Sequence, residues 1–168
     1  MNAPSRSYYV PHQPVGSRCY GALIAATDEV LHEWDYVAPA RAEINDLHSN
    51  NLDPALTEAQ QKEYASQLIL LMHKAKVGRV KFTGKDAEGN VVGHTLVELK
   101  PRLAHVRPAF GRKPRLLRLY LGEPELHPRK LLALRLATKE DSERGLREQD
   151  ADIAEAKARA EVWCSTTA

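Results

Sequence analysis

Arg115-Leu116-Leu117-Arg118-Leu119-Tyr120-Leu121 is the stretch whose reading decides the fold. Leu117, Leu119 and Leu121 recur at every second residue, with Leu116, Arg118 and Tyr120 between them. A period of two is the signature of a strand, here with one leucine face and one face carrying a cation and a phenol. Leu131–Lys139 repeats the pattern. Leu132, Leu134 and Leu136 share one side, while Leu131, Ala133, Arg135 and Ala137 share the other, with Lys139 at the strand end. In Thr95–Lys100, Val97 and Leu99 oppose Leu96, Glu98 and Lys100. If the leucine faces line up on helices, the opposite face gathers Glu98, Lys100, Arg118, Tyr120, Arg135 and Lys139.

Helices are available on both sides of these strands. Thr57-Glu58-Ala59-Gln60 is a capping box, and behind it Tyr64, Leu68, Leu71, Met72 and Ala75 form an apolar stripe at helical spacing that Gly78 ends. Upstream, Leu23, Ala26, Val30, Trp34 and Val37 recur at three or four residues, which predicts a helix over 22–47 restarted at Pro39, with Trp34 in the core. Downstream, Ile153, Ala156, Ala160 and Trp163 share one face of a closing helix over about 148–163. Residues 79–83 and 90–100 read as a hairpin around the polar stretch 85–90. Residues 101–114, with Pro101, Pro108, Gly111 and Pro114, read as a long basic loop. Residues 1–20, with Pro4, Pro11, Pro14 and Gly16, read as a flexible arm ahead of one domain over 21–168. The expected fold is α+β: a helical hairpin on a small antiparallel sheet of three or four strands, with a carboxy-terminal helix.

The 168 residues are 43% hydrophobic, enough for a core, and only 6% aromatic, so leucine and alanine must fill it. The net charge of +2 hides an uneven distribution. Residues 100–135 carry ten basic and two acidic side chains, whereas 136–168 carry five and eight. A segment at +8 suits contact with phosphate, unless its cations are simply solvated. Cys19 and Cys164 lie far apart with no ligand spacing around them, so no metal or other cofactor is expected. The apolar run Tyr20–Ala26 is too short for a span, and no signal-peptide pattern precedes it, so a soluble cytoplasmic protein without a membrane partner is expected.

Several cations with one phenol and one carboxylate on a sheet face can bind a nucleic-acid backbone. They can also cleave RNA without metal. The 2′-hydroxyl attacks the phosphorus, a base takes its proton, an acid protonates the departing 5′-oxygen, and cations stabilise the negative transition state. The plain alternative is that Glu98 pairs with Lys100 or Arg118 on the surface and that Tyr120 closes the core edge. His94, His105 and His127 are isolated histidines near cations, more in keeping with surface residues than with catalysts.

Three strand blocks and the closing helix carry a family resemblance. Thr95-Leu96-Val97-Glu98-Leu99-Lys100, Arg115-Leu116-Leu117-Arg118-Leu119-Tyr120, Leu131–Lys139 and Asp152-Ile153-Ala154-Glu155-Ala156-Lys157-Ala158-Arg159 resemble, in this order, motifs of the RelE/HigB/ParE superfamily of bacterial toxins. The match runs over about residues 92–163. It implies the toxin of a type II toxin–antitoxin system, an endoribonuclease that cuts messenger RNA on the ribosome and is neutralised by a small antitoxin, often of helix-turn-helix type. Carried over by position, Arg118 stabilises the scissile phosphate and Lys139 binds phosphate or transfers a proton. Tyr120 and Glu98 complete the catalytic set, and Lys100, Arg102, Arg112, Arg115 and Arg135 bind RNA. The chain departs from the family in its length and in Thr138-Lys139 where many members have paired lysines. It also lacks an evident carboxy-terminal Tyr or His, and has Lys100 where arginine is commoner, which loses bidentate phosphate geometry. These departures leave open a non-catalytic binding module on the same fold, either a gyrase-type inhibitor or a nucleic-acid-binding accessory protein.

Overall fold

A computed structural model describes residues 32–92, 95–104, 115–124, 127 and 129–167. The expected arm over 1–20, most of the basic loop, and Arg112, His94 and His105 lie outside them. The fold is α+β. Its elements in order are β1 (Glu33–Tyr36), α1 (Ala38–His48), α2 (Glu58–Lys76), β2 (Gly89–Val92), β3 (Leu96–Leu99), β4 (Arg115–Gly122), β5 (Lys130–Glu140) and α3 (Glu143–Thr167). One sheet has the strand order β1-β5-β4-β3-β2.

Several expectations are corrected. The sheet has five strands rather than three or four, and it is mixed, because β1 runs parallel to β5 with Trp34 opposite Leu131. Of the helix expected over 22–47, residues 22–31 lie outside the described residues, 33–36 are strand, and a helix begins at Ala38 with Pro39 in its first turn, where a missing N–H costs nothing. Trp34, expected in a helix, is half-buried on a strand and donates from Nε1 to the Met72 carbonyl at 2.8 Å. Residues 79–83 are not a strand. The expected strand 90–100 is instead two strands, β2 and β3, that pair antiparallel with Val91 opposite Val97.

The capping box forms as read. Thr57 accepts from the Gln60 amide, and the Gln60 side chain accepts from the Thr57 amide. Behind it Tyr64, Leu68, Leu71 and Ala75 are buried. The Tyr64 hydroxyl donates to the Arg115 carbonyl at 2.6 Å, fastening α2 to the start of β4.

Between β4 and β5 the register shifts. Tyr120 is opposite Arg135 and Leu121 is opposite Ala133, so Leu134 is an extra residue. This bulge reverses the alternation below it. Arg135, Ala137 and Lys139 share a face with Glu98, Arg118 and Tyr120, while Leu131 and Ala133 lie on the other face with Leu121 and Val97. The continuous reading that put Leu132, Leu134 and Leu136 on one face is corrected accordingly. Leu131, Leu132, Ala133 and Leu134 are all fully buried, because helices cover both faces of β5.

The second cover is α3, which begins at Glu143 rather than near 148. Its buried residues are small or polar: Gly145, Asp152, Ala156 and Ala160. Small side chains let the helix lie close on the sheet. A Cβ at Gly145 would sit 1.5 Å from the Glu140 carbonyl oxygen, so only glycine lets the first turn of α3 fold back against the end of β5.

Candidate phosphate-binding site

Alternation brings Glu98, Lys100, Arg118, Tyr120, Arg135 and Lys139 to one face, as the sequence predicts. Their ion pairs then divide them into an inner row tied to carboxylates of the helices and an outer rim of cations around Glu98. The division is one of partners and not of exposure, since the Arg135 side chain is 29% exposed and that of Arg118 12%.

The inner row is Tyr120 and Arg135. Tyr120 is fully buried. Its hydroxyl faces the Glu98 carboxylate without forming a hydrogen bond of good geometry. Burial, together with the negative charges of Glu98 and Asp152, pushes its pKa far above the ordinary phenol value. Arg135 lies between two carboxylates. It donates from Nε to Asp152 on α3 at 3.0 Å and from Nη1 to Glu43 on α1. Glu43 also accepts from the Leu136 amide at 2.9 Å and from both terminal nitrogens of Arg159, at 3.0 and 2.8 Å. One carboxylate thus joins two guanidiniums and caps the edge of β5 beyond the end of β1. Burial holds the Asp152 carboxyl above its usual value, although Arg135 opposes the shift.

The outer rim is Lys100, Arg118 and Lys139, with Glu98 beneath. Glu98 is 2% exposed. Its Oε1 lies 3.1 Å from Arg118 Nε and accepts from Gln149 Nε2 of α3 at 3.0 Å. Gln149 in turn accepts from Lys139 Nζ. Arg118 donates from Nη1 to the Leu117 carbonyl at 2.8 Å. Both lysines have depressed pKa values. For Lys139 the first cause is burial and the second is the Arg118 charge, with Lys100 adding to it and Glu98 and Asp141 opposing. For Lys100 burial again leads, with Arg118 and Arg102 adding and Glu98 opposing. The three cations therefore feel one another across the strands, and all three remain partly exposed.

The other expected RNA-binding residues stand apart from the rim. Arg115 reaches Thr138 and pairs with Glu148 at 3.0 Å. Arg102 donates to the Lys85 and Ala87 carbonyls and lies 3.6 Å from Asp86, so it fastens the turn before β2. His127 packs edge-on against Trp163, with ring centres 5.5 Å apart, and Trp163 anchors the end of α3 beside Lys130. Glu43 and Gln149 were not singled out from the sequence, and Asp152 only as the first residue of the closing-helix motif, because nothing local announces which cation each one meets.

Among the described residues no group of three or more His, Cys, Asp or Glu side chains is disposed to hold a metal ion, and no helix is long and apolar enough to cross a membrane. No family model, curated protein or solved structure matches this chain.

Proposed function

We propose that the rim of Lys100, Arg118 and Lys139 binds the phosphate backbone of RNA, and that the chain is a toxin of the RelE/HigB/ParE type that cleaves messenger RNA without a metal. The observation that carries this reading is the convergence of three partly exposed cations, Lys100 just past the end of β3, Arg118 on β4 and Lys139 on β5, around the buried Glu98 carboxylate. Such a cluster holds an excess of positive charge at hydrogen-bonding distance from a bound phosphate. Arg118, oriented by Glu98, is assigned to the equatorial oxygens of the transition state. Lys139 is assigned to binding phosphate or to proton transfer, as burial and the neighbouring Arg118 charge ease the loss of its proton. Glu98 and Tyr120 leave the reacting set. Glu98 is spent on Arg118 and Gln149, and Tyr120 neither reaches solvent nor holds a labile proton. The antitoxin would be a separate helix-turn-helix protein, and the ribosome would present the message.

A second reading is favoured by that same burial. With Tyr120 and Glu98 withdrawn, the rim is also the grip of a non-catalytic binding module. Induced expression followed by mapping of message ends separates the two. New 5′ ends and growth arrest that vanish in Arg118→Ala support the nuclease. Intact message with salt-sensitive RNA binding supports the module. Intact message and no RNA binding removes both.

A further inference from the structure

Gln149 on α3 hydrogen-bonds to both signs of charge at the rim. Its Oε1 accepts from Lys139 Nζ and its Nε2 donates to Glu98 Oε1. The orientation of the amide is fixed by its neighbours, since turning it over would aim N–H groups at an ammonium and an oxygen at a carboxylate. The same Glu98 oxygen faces Arg118 Nε. Among the described residues no carboxylate lies within ion-pair distance of Lys139, so its hydrogen-bond partner at the rim is a neutral one.

We propose that Gln149 is a positioning residue that keeps Lys139 out of an ion pair with Glu98 and so reserves its charge for a phosphate of bound RNA. The proposal rests on the phosphate-binding reading of the rim and adds the device that keeps the rim charged. A lysine matched to a carboxylate has its field cancelled at short range, and a polyanion must break that pair before binding. A lysine held by an amide oxygen exchanges one neutral acceptor for a charged one, which favours the phosphate. Glu98 is left to orient Arg118. The charged groups facing Lys139 are Arg118 on β4, Glu98 and Lys100 on or just after β3, and Asp141 beyond β5. The depressed pKa of Lys139 accords with this balance.

Gln149→Glu tests the idea in the full chain, because it changes charge and hardly changes shape. The titration of Lys139 followed by NMR should move upward. The dependence of binding to single-stranded RNA on salt should weaken by about one phosphate contact, and the new carboxylate, set against Glu98, should also lower the unfolding temperature. Gln149→Met removes both hydrogen bonds without adding charge. It should lower RNA affinity less than the glutamate does. An unmoved Lys139 titration in Gln149→Glu would overturn the proposal, and so would equal losses of affinity and stability in both variants, since an amide with a merely structural role behaves in that way. The lysine titration does not depend on RNA. A parent chain that binds no RNA would sink the reading of the rim, while the titration would still decide the role of Gln149.

Discussion

Arg118 and Arg135 stand on neighbouring strands and share one face of the sheet, yet their charges are met differently. Arg135 has a carboxylate on either side, Glu43 from α1 and Asp152 from α3. Among the described residues Arg118 has Glu98 alone as a charged partner, and Glu98 also serves Gln149. The inner arginine is a structural tie. The outer one belongs to a cluster of three cations around one carboxylate. Strand alternation decides which way a side chain points, but the helix laid across that face decides whether its charge is spent on the fold or left for a ligand.

The contrast can be broken most forcefully at Glu43. In Glu43→Ala the guanidiniums of Arg135 and Arg159 lose their shared partner, and the Leu136 amide loses its acceptor. We expect a loss of about 3 kcal/mol in denaturant unfolding, with RNA binding per folded molecule preserved. A change within about 0.5 kcal/mol, the range of an ordinary surface substitution, would show that the inner row is not a tie. Arg118→Ala attacks the other side. Message cleavage should fall by about a hundredfold or more, and stability by about 1–3 kcal/mol because Glu98 stays buried without its charged neighbour. Retained cleavage would remove Arg118 from the site.

The pH dependence sharpens the comparison more gently. Lys100 and Lys139 have folded-state pKa values below 10.5, so the folded state disfavours their charged forms. The destabilisation is fully present below the folded values and is relieved as the pH rises from those values toward 10.5. RNA affinity should move the other way and decline over the same window as the rim loses charge. Binding below that window should take up no protons, whereas binding within it should take them up, as calorimetry in buffers of different ionisation heat would record. Tyr120→Phe carries the smallest expected effect. Its buried hydroxyl has no well-formed hydrogen bond, so its removal should change stability by less than about 1 kcal/mol and leave RNA cleavage intact. Loss of cleavage in this variant would mean that α3 leaves the inner row in the working state, and the distinction between rim and row would fail.

What the sequence disclosed follows from how local each cause is. The capping box at Thr57 was readable to the residue because its two hydrogen bonds span three positions. The face shared by Glu98, Arg118 and Tyr120 was readable because alternation is local. Strand β1 was not. Trp34 and Val37 fit a helical stripe, and the parallel pairing that makes 33–36 a strand comes from residues 130–133. The bulge at Leu134 was hidden because a run of alternating leucines and alanines gives no sign of where an extra residue will be absorbed. The +8 of residues 100–135 was legible as a number but not as a surface. Glu43, Asp35, Asp86, Glu148 and Asp152 come from outside that segment to neutralise much of it.

The parallel seam between β1 and β5 also constrains the order in which the molecule can be completed. Among the described residues Glu33–Tyr36 has no strand to pair with until Lys130–Ala133 exists, nearly a hundred residues later in synthesis. Gln149, which reaches the rim, is made later still. An emerging chain therefore leaves β1 without its β5 neighbour, and its cationic edge unassembled, until these later residues have been made. A ligand held by that edge would thus meet it only after Lys139 and Gln149 have joined the fold.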